Sequence, residues 1–149
     1  MNWLETLQKL PAFTDPELQT DPELLYDPVR IRIELTLKDA RAEGLSVMLF
    51  ETFRADARQL NLWKQKRTKI KKRGMHGCGM AGDIVFVDAH GQPSWKEPTP
   101  GAWKRLGVIG KKHGLYWGGD FKSFTDSPHF QGVPATPEAQ GKILKGEYP

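Results

Sequence analysis

Asp27-Pro-Val-Arg-Ile-Arg-Ile-Glu-Leu-Thr-Leu-Lys-Asp-Ala-Arg-Ala-Glu-Gly44 is the stretch on which the fold turns. Ile31, Ile33, Leu35 and Leu37 alternate strictly with polar residues, the period of a half-buried strand. The flanks argue the other way. Asp27 with Pro28 is a good N-cap and first-turn pair, Lys38–Glu43 is helical in propensity, and Gly44 stands where a helix closes in the left-handed region. Wound as a helix, Val29, Ile33, Leu37 and Ala40 share one face, while Ile31, Leu35 and Ala42 share another. The stretch therefore reads as a helix, wedged between two layers.

Working outward, Leu45–Glu51 is rich in Val, Met, Leu and Phe and reads as a buried strand. Residues 55–72 return to helical composition, with Leu60 and Trp63 as core anchors, and residues 74–82 form a glycine-rich loop. Asp83–Asp88 is a second strand, 89–93 a turn, Trp103–His113 a helix closed by Gly114, and Leu115–Trp117 and Pro128–Gln131 are short strands. Residues 1–26 form an acidic arm with Asp-Pro pairs at 15, 21 and 27 and a short amphipathic helix on Leu4, Leu7 and Leu10. The arm is expected to pack on the body of one domain spanning 1–149. The fold class is α+β: helices packed against a small antiparallel sheet, with the site in a cleft on that sheet.

The chain has 149 residues, 27% charged and 38% hydrophobic, which is ordinary for one soluble domain. No apolar run reaches the length of a membrane span, and Met1–Pro11 lacks the basic and apolar regions of a signal peptide. Synthesis is expected to end in the cytoplasm. A single cysteine, Cys78, excludes an intrachain disulfide; it reads as a small buried thiol, with a metal-ligand role as the alternative. Lys64, Lys66, Arg67, Lys69, Lys71, Lys72 and Arg73 crowd into one run. Such a run attracts polyanions, unless it is only a solvated helix end whose cations suit the C-terminal dipole. Aromatic residues do not interleave with it, which argues against base stacking and nucleic acid.

The chemistry gathers in two segments, His76-Gly-Cys-Gly-Met-Ala-Gly-Asp83 and Asp126-Ser-Pro-His129. Two His and one carboxylate are a known set for a catalytic zinc with a position left for water. A further carboxylate three residues before one of the histidines, Asp126, suits a general base. Each spacing alone is common, and capping, turn and core roles compete with metal binding. His90, beside Gly91, and His113, before Gly114, read as a turn and a helix end.

The combination of His76-x-x-Gly79-x-Ala81-x-Asp83 with Trp117-Gly-Gly-Asp120-Phe-Lys-Ser-Phe-Thr-Asp126-Ser-Pro-His129-Phe resembles the zinc peptidases of the D-alanyl-D-alanine carboxypeptidase and L-alanyl-D-glutamate endopeptidase family. The resemblance implies His76, Asp83 and His129 as ligands of Zn2+ and Asp126 as catalytic base. Glu51-Thr-Phe-Arg54-Ala-Asp-Ala-Arg-Gln59 is similar to the family's arginine motif, which implies that Arg54 binds substrate; an ion pair with Glu51 or Asp56 is the plainer role. Two departures stand out: Gly74 where a Ser is common, and Gln131 where a Glu is common. Trp117 and Asp120 either line the cleft or serve as a core residue and a loop cap.

The resemblance, spanning roughly 27–132, implies hydrolysis of the L-alanyl–D-glutamate bond in peptidoglycan stem peptides. D-alanyl–D-alanine cleavage is the runner-up. It implies an endolysin-like monomer that reaches the wall after holin-type release or lysis, with residues 64–73 holding anionic wall polymer. A non-catalytic zinc module and a nucleic-acid-binding protein are the rivals from other classes.

Overall fold

The computed structural model describes residues 2–149, and their order is a mixture of helices and short antiparallel strands. The helices are α1 (Trp3–Gln8), α2 (Asp27–Ala42), α3 (Asp56–Lys64), α4 (Ala102–Lys112) and α5 (Pro137–Leu144). The strands are β1 (Val47–Leu49), β2 (Ala81–Val87), β3 (Pro93–Ser94), β4 (Tyr116–Trp117) and β5 (His129–Gln131). The sheet runs β1-β2-β5-β4, and β3 also pairs with β2. Every pairing is antiparallel.

The stretch 27–42 is helical and Gly44 follows it at φ 88°, but Tyr26 holds the N-cap position and Asp27 is the first helical residue, not the cap. Its inner face is the one read from the sequence: Val29, Ile33, Leu37 and Ala40 are buried. Its other apolar face is not. Ile31 is 48% and Leu35 42% exposed, so α2 lies on one side of the sheet and is not wedged between two layers. Alternation along a strand-like sequence becomes, on a helix, two faces on different sides, and only one of them meets the core.

Strand alternation then separates core from site. Gly82, Ile84 and Phe86 point one way along β2, and Asp83 points the other. Ile84 and Phe86 join the core with Ile33, Leu106, Ile109 and Phe130. Close approach sets the glycines: a Cβ on Gly110 of α4 would lie 2.4 Å from the Phe130 ring, and one on Gly82 would lie 2.8 Å from Ile33. Each large apolar side chain in this layer contributes about 1.5–3 kcal/mol by burial. A smaller cluster, Leu7, Leu24, Phe53 and Ala55, with Trp3 and Phe13 against it, fastens the N-terminal arm beside the arginine segment.

Three further readings are corrected. Helix α3 ends at Lys64, not at 72, because Lys66 takes a positive φ of 58° and the Gln59 amide donates back to the Ile70 carbonyl at 2.6 Å, folding the basic run into a loop. Trp63 is 39% exposed and Leu60 half-buried, while the buried anchor of α3 is Leu62. Strand β2 begins two residues early, at Ala81. Helix α5 was not expected; Thr136 caps it through Ala139 N, with Pro137 in its first turn. Among the described residues, no helix is long and apolar enough to cross a membrane.

Candidate active site

Register brings two of the site residues together. Asp83 of β2 stands directly opposite His129 of β5. The Asp83 N–H donates to Glu51 O and its carbonyl accepts from Phe50 N, both on the β1 side, so Asp83 and His129 form a non-hydrogen-bonded pair. In such pairs the side chains lie closest. His76 arrives from a 3-10 turn, Met75–Cys78, whose neighbours Met75, Cys78 and Met80 are buried in the core. Gly79 closes the turn at φ 69°, where a side chain would also strike Trp3 and Leu24 O.

The three candidate ligand atoms make a small triangle. His76 Nε2 lies 3.2 Å from Asp83 Oδ1 and 3.2 Å from His129 Nδ1, and His129 Nδ1 lies 3.7 Å from Asp83 Oδ1. Ligands bound at 2.0–2.1 Å around a tetrahedral zinc would be about 3.4 Å apart. The hydrogen bonds behind them decide where the ring protons sit. His76 Nδ1 faces the Thr52 carbonyl at 2.9 Å, and His129 Nε2 faces Gln131 Oε1 at 2.8 Å. The Gln131 amide is oriented by its other end, since its Nε2 donates to Val133 O and Gln140 Oε1. Each imidazole therefore spends its N–H on an oxygen behind it and turns a lone pair inward. Asp83 Oδ1 is buried and has no donor among the described residues. Three lone-pair-bearing atoms converging without a hydrogen between them are a cavity for a cation. The group fits zinc.

The titration behaviour agrees. Burial, reinforced by His76, pushes the His129 imidazole down to about 4, so it keeps its lone pair through neutral pH. Burial raises Asp83, but the adjacent His76 and His129 outweigh it and hold the carboxyl down to about 2. Asp126, whose Oδ2 is 3.8 Å from His129 Nδ1, is moved the other way. Burial and the negative Asp83 push it up to about 6. A carboxyl poised there is suited to exchanging protons near neutrality.

The turn that carries Asp126 is clamped from outside. Asp126 N donates to Gly118 O at 2.9 Å, the Trp117 indole donates to Ser127 O at 2.7 Å, and His129 N returns to Asp126 O at 3.1 Å. A Cβ on Gly118 would sit 2.2 Å from Asp126 O, so only glycine allows this closeness. Trp117 thus braces the turn from behind and does not line the cleft. Asp120 is paired with Lys111 at 2.9 Å, away from the site.

Asp83 and Asp126 open into a cleft of 410 Å3, whose other walls include Arg54, Arg58, Arg67, Trp95 and Trp103. Arg54 is at the cleft, as the sequence reading places it, and it is also paired with Glu51 at 2.8 Å; Asp56 instead holds Arg73. Glu51 itself is buried, and despite that burial Arg54 and Arg58 hold its carboxyl below the usual range. Cys78 is fully buried, its thiol pushed up to about 11 by burial, and it lies outside the ligand triangle. His113 caps α4 and contacts Asp39 at 2.6 Å, and His90 is exposed in a turn.

The sequence reading has Glu51 as a partner of Arg54, which the structure shows, but misses its second bond to Arg58; it has Gln131 only as a departure, and it misses Thr52 and Gln140 behind the histidines. Gln131 was findable, because residues two apart on a strand share a face. Thr52 and Gln140 act across long or loop-spanning distances that spacing does not reveal.

Comparison with known proteins finds peptidases that act on peptidoglycan. A sequence profile described as D-alanyl-D-alanine carboxypeptidase matches residues 68–132. The peptidoglycan L-alanyl-D-glutamate endopeptidase CwlK of Bacillus subtilis is 34% identical over 113 residues, with 66% of this chain and 68% of the relative covered. The L-alanyl-D-glutamate peptidase of Listeria phage A118 is 29% identical over 108 residues, covering 72% of this chain; the chain spans 37% of that relative's length. Among solved structures, the Serratia marcescens L-Ala D-Glu endopeptidase ChiX superposes with a TM-score of 0.61 at 23% identity, covering 84% of this chain and 93% of that one. A VanY D,D-pentapeptidase mutant in complex with Zn(II) gives 0.55 at 17% identity, covering 91% and 88%. These two likenesses establish a shared fold.

Proposed function

The chain belongs to the D-alanyl-D-alanine carboxypeptidase family of peptidases, and from that premise we propose that it is a zinc peptidase hydrolysing the L-alanyl–D-glutamate bond of peptidoglycan stem peptides. The observation that carries the reading is the convergence of three inward lone pairs, on His76, Asp83 and His129, with the carboxyl of Asp126 beside them and both Asp83 and Asp126 opening into the cleft. The choice of bond rests on what the Bacillus and phage relatives are named for.

His76, Asp83 and His129 would hold the metal. Zinc, when bound, lowers the pKa of water towards about 7 and polarises a scissile carbonyl. Asp126 takes the proton of the attacking water and passes it to the leaving amine. Thr52 and Gln131 keep both imidazoles in the tautomer that presents a lone pair. Arg54, anchored by Glu51, faces the peptide in the cleft and orients it.

The loop 65–74 adds an attachment surface. Arg73 is committed to Asp56 and Lys71 lies over the Trp63 ring at 4.8 Å, while Lys66, Lys69 and Lys72 are exposed. Exposed cations beside the cleft suit anionic wall polymer, in keeping with an endolysin-like monomer that acts once it reaches the wall.

Purified sacculi incubated with the protein, with and without a zinc chelator, test the reading. Chelator-sensitive clearing with new D-glutamyl amino termini in the released fragments is expected. Release of free D-alanine without clearing would transfer the assignment to D-alanyl–D-alanine cleavage. No release from a chain that binds one zinc would make it a non-catalytic module.

A further inference from the structure

Glu51 is a buried carboxylate shared by two guanidinium groups. Its Oε1 accepts from Arg54 Nη2 at 2.8 Å and its Oε2 from Arg58 Nε at 2.9 Å. The two arginines share an anchor but keep different resources. Arg54 also donates through Nη1 to Gln59 Oε1 at 3.2 Å, and its Nε is buried without a partner. Arg58 uses only Nε. Both of its terminal nitrogens are without a hydrogen-bond partner among the described residues, and the side chain lines the cleft.

Charge along the cleft is correspondingly uneven. Asp83 and Asp126 line the same cleft as Arg54, Arg58 and Arg67. One buried carboxylate against two guanidiniums leaves a net positive charge at Glu51, Arg54 and Arg58. Arg54 lies close enough to the triad for its charge to act on Asp83, Asp126 and His129. A guanidinium with both terminal nitrogens unpaired in a cleft matches a planar anion with two oxygens, and a carboxylate fits it bidentately.

The substrate class named above carries such a group next to the scissile bond. A glutamyl residue on the leaving side has two carboxyl groups: one continues the stem and the other remains free or is capped as an amide. We propose that Arg58 reads that free carboxylate, so that the cleft selects glutamyl peptides over their carboxamide counterparts. Arg54, nearer the triad and already engaged by Glu51 and Gln59, orients the scissile peptide; Arg58 supplies the discrimination. This inference rests on the endopeptidase reading and deepens it.

Two synthetic stem peptides, identical except that the glutamyl side carboxyl is free or amidated, test it against the zinc-loaded wild type, Arg58→Gln and Arg58→Lys. The wild type is expected to cleave the free acid with kcat/KM about 30-fold above the amide, chiefly through KM. Arg58→Gln, with zinc content unchanged, should bring the two peptides within about threefold of one another by slowing only the acid. Arg58→Lys keeps the charge without the fork and should lower the ratio to an intermediate value, which serves if the glutamine variant fails to fold. A wild type indifferent to amidation, or an Arg58 variant that keeps the wild-type ratio, would overturn the assignment. Cleavage of neither peptide by zinc-loaded wild type would instead sink the endopeptidase reading, and this inference with it.

Discussion

On the sheet wall of the cleft, Asp83 and His129 meet because strand register sets them opposite each other, and the oxygens of Thr52 and Gln131 aim both imidazoles. On the arginine wall, Arg54 just before α3 and Arg58 within it share the carboxylate of Glu51, and Arg54 has a second partner in Gln59. The first wall is built from backbone pairing plus several independent hydrogen bonds; on the second, one buried carboxylate neutralises both guanidiniums. Damage should therefore be graded behind the metal ligands and abrupt behind the arginines.

The largest effect lies between the two walls. Asp126→Ala is expected to cut hydrolysis by about a thousandfold while zinc remains bound, read by stem-peptide kinetics alongside metal content. Activity surviving in this variant would remove Asp126 from the role of base. As the proposed base, Asp126 must be ionised in the wild type. With Asp126 pushed up to about 6 before a metal is present, and a divalent cation pulling it down again, kcat/KM should decline on the acid side from a pH at or below 6.

Next comes the abrupt failure. Glu51→Gln leaves two guanidiniums facing a neutral amide and should destabilise the fold by about 3 kcal/mol, seen in denaturant unfolding. Because Glu51 is held below its ordinary range in the folded state, its stabilisation is present above the unfolded carboxylate pKa and fades as pH falls through the depressed folded value. The gap between wild type and variant should accordingly narrow in acid. A constant gap would mean that packing, and not charge pairing, is what Glu51 supplies.

The graded failure is smaller. Gln131→Ala should weaken zinc binding about tenfold, because His129 keeps its strand position but loses the oxygen that fixes its tautomer. Its effect on unfolding should stay well below that of Glu51→Gln. If the two variants behaved alike, the contrast between the walls would not hold.

Much of this is legible in the sequence. Paired segments with His76, Asp83, Asp126 and His129 carry their types and spacing in the chain, and β2 and β5 follow from short apolar runs. Helix α2 could be read from Asp27-Pro28 and Gly44 despite its alternating residues, yet the exposure of Ile31 and Leu35 could not, since covering layers are a tertiary matter. The end of α3 was overrun because lysines and arginines have good helix propensity. What stops it is a reach by Gln59 to the Ile70 carbonyl, a contact no local pattern announces. Helix α5 carries its signal in Thr136-Pro137, a cap and first-turn pair too short to stand out beside the longer apolar runs. The division between Arg54 and Arg58 needs the position of Glu51, which lies just beyond β1 and is buried.

Calorimetric titration of zinc into chelator-stripped protein tests the central claim most directly, with His76→Ala, Asp83→Ala and His129→Ala run beside the wild type. One equivalent bound tightly by the wild type, and its loss in all three variants, is the expected result. Tight binding that survives any one of the three substitutions, or a wild type that binds no zinc, would contradict the metal centre on which the rest depends.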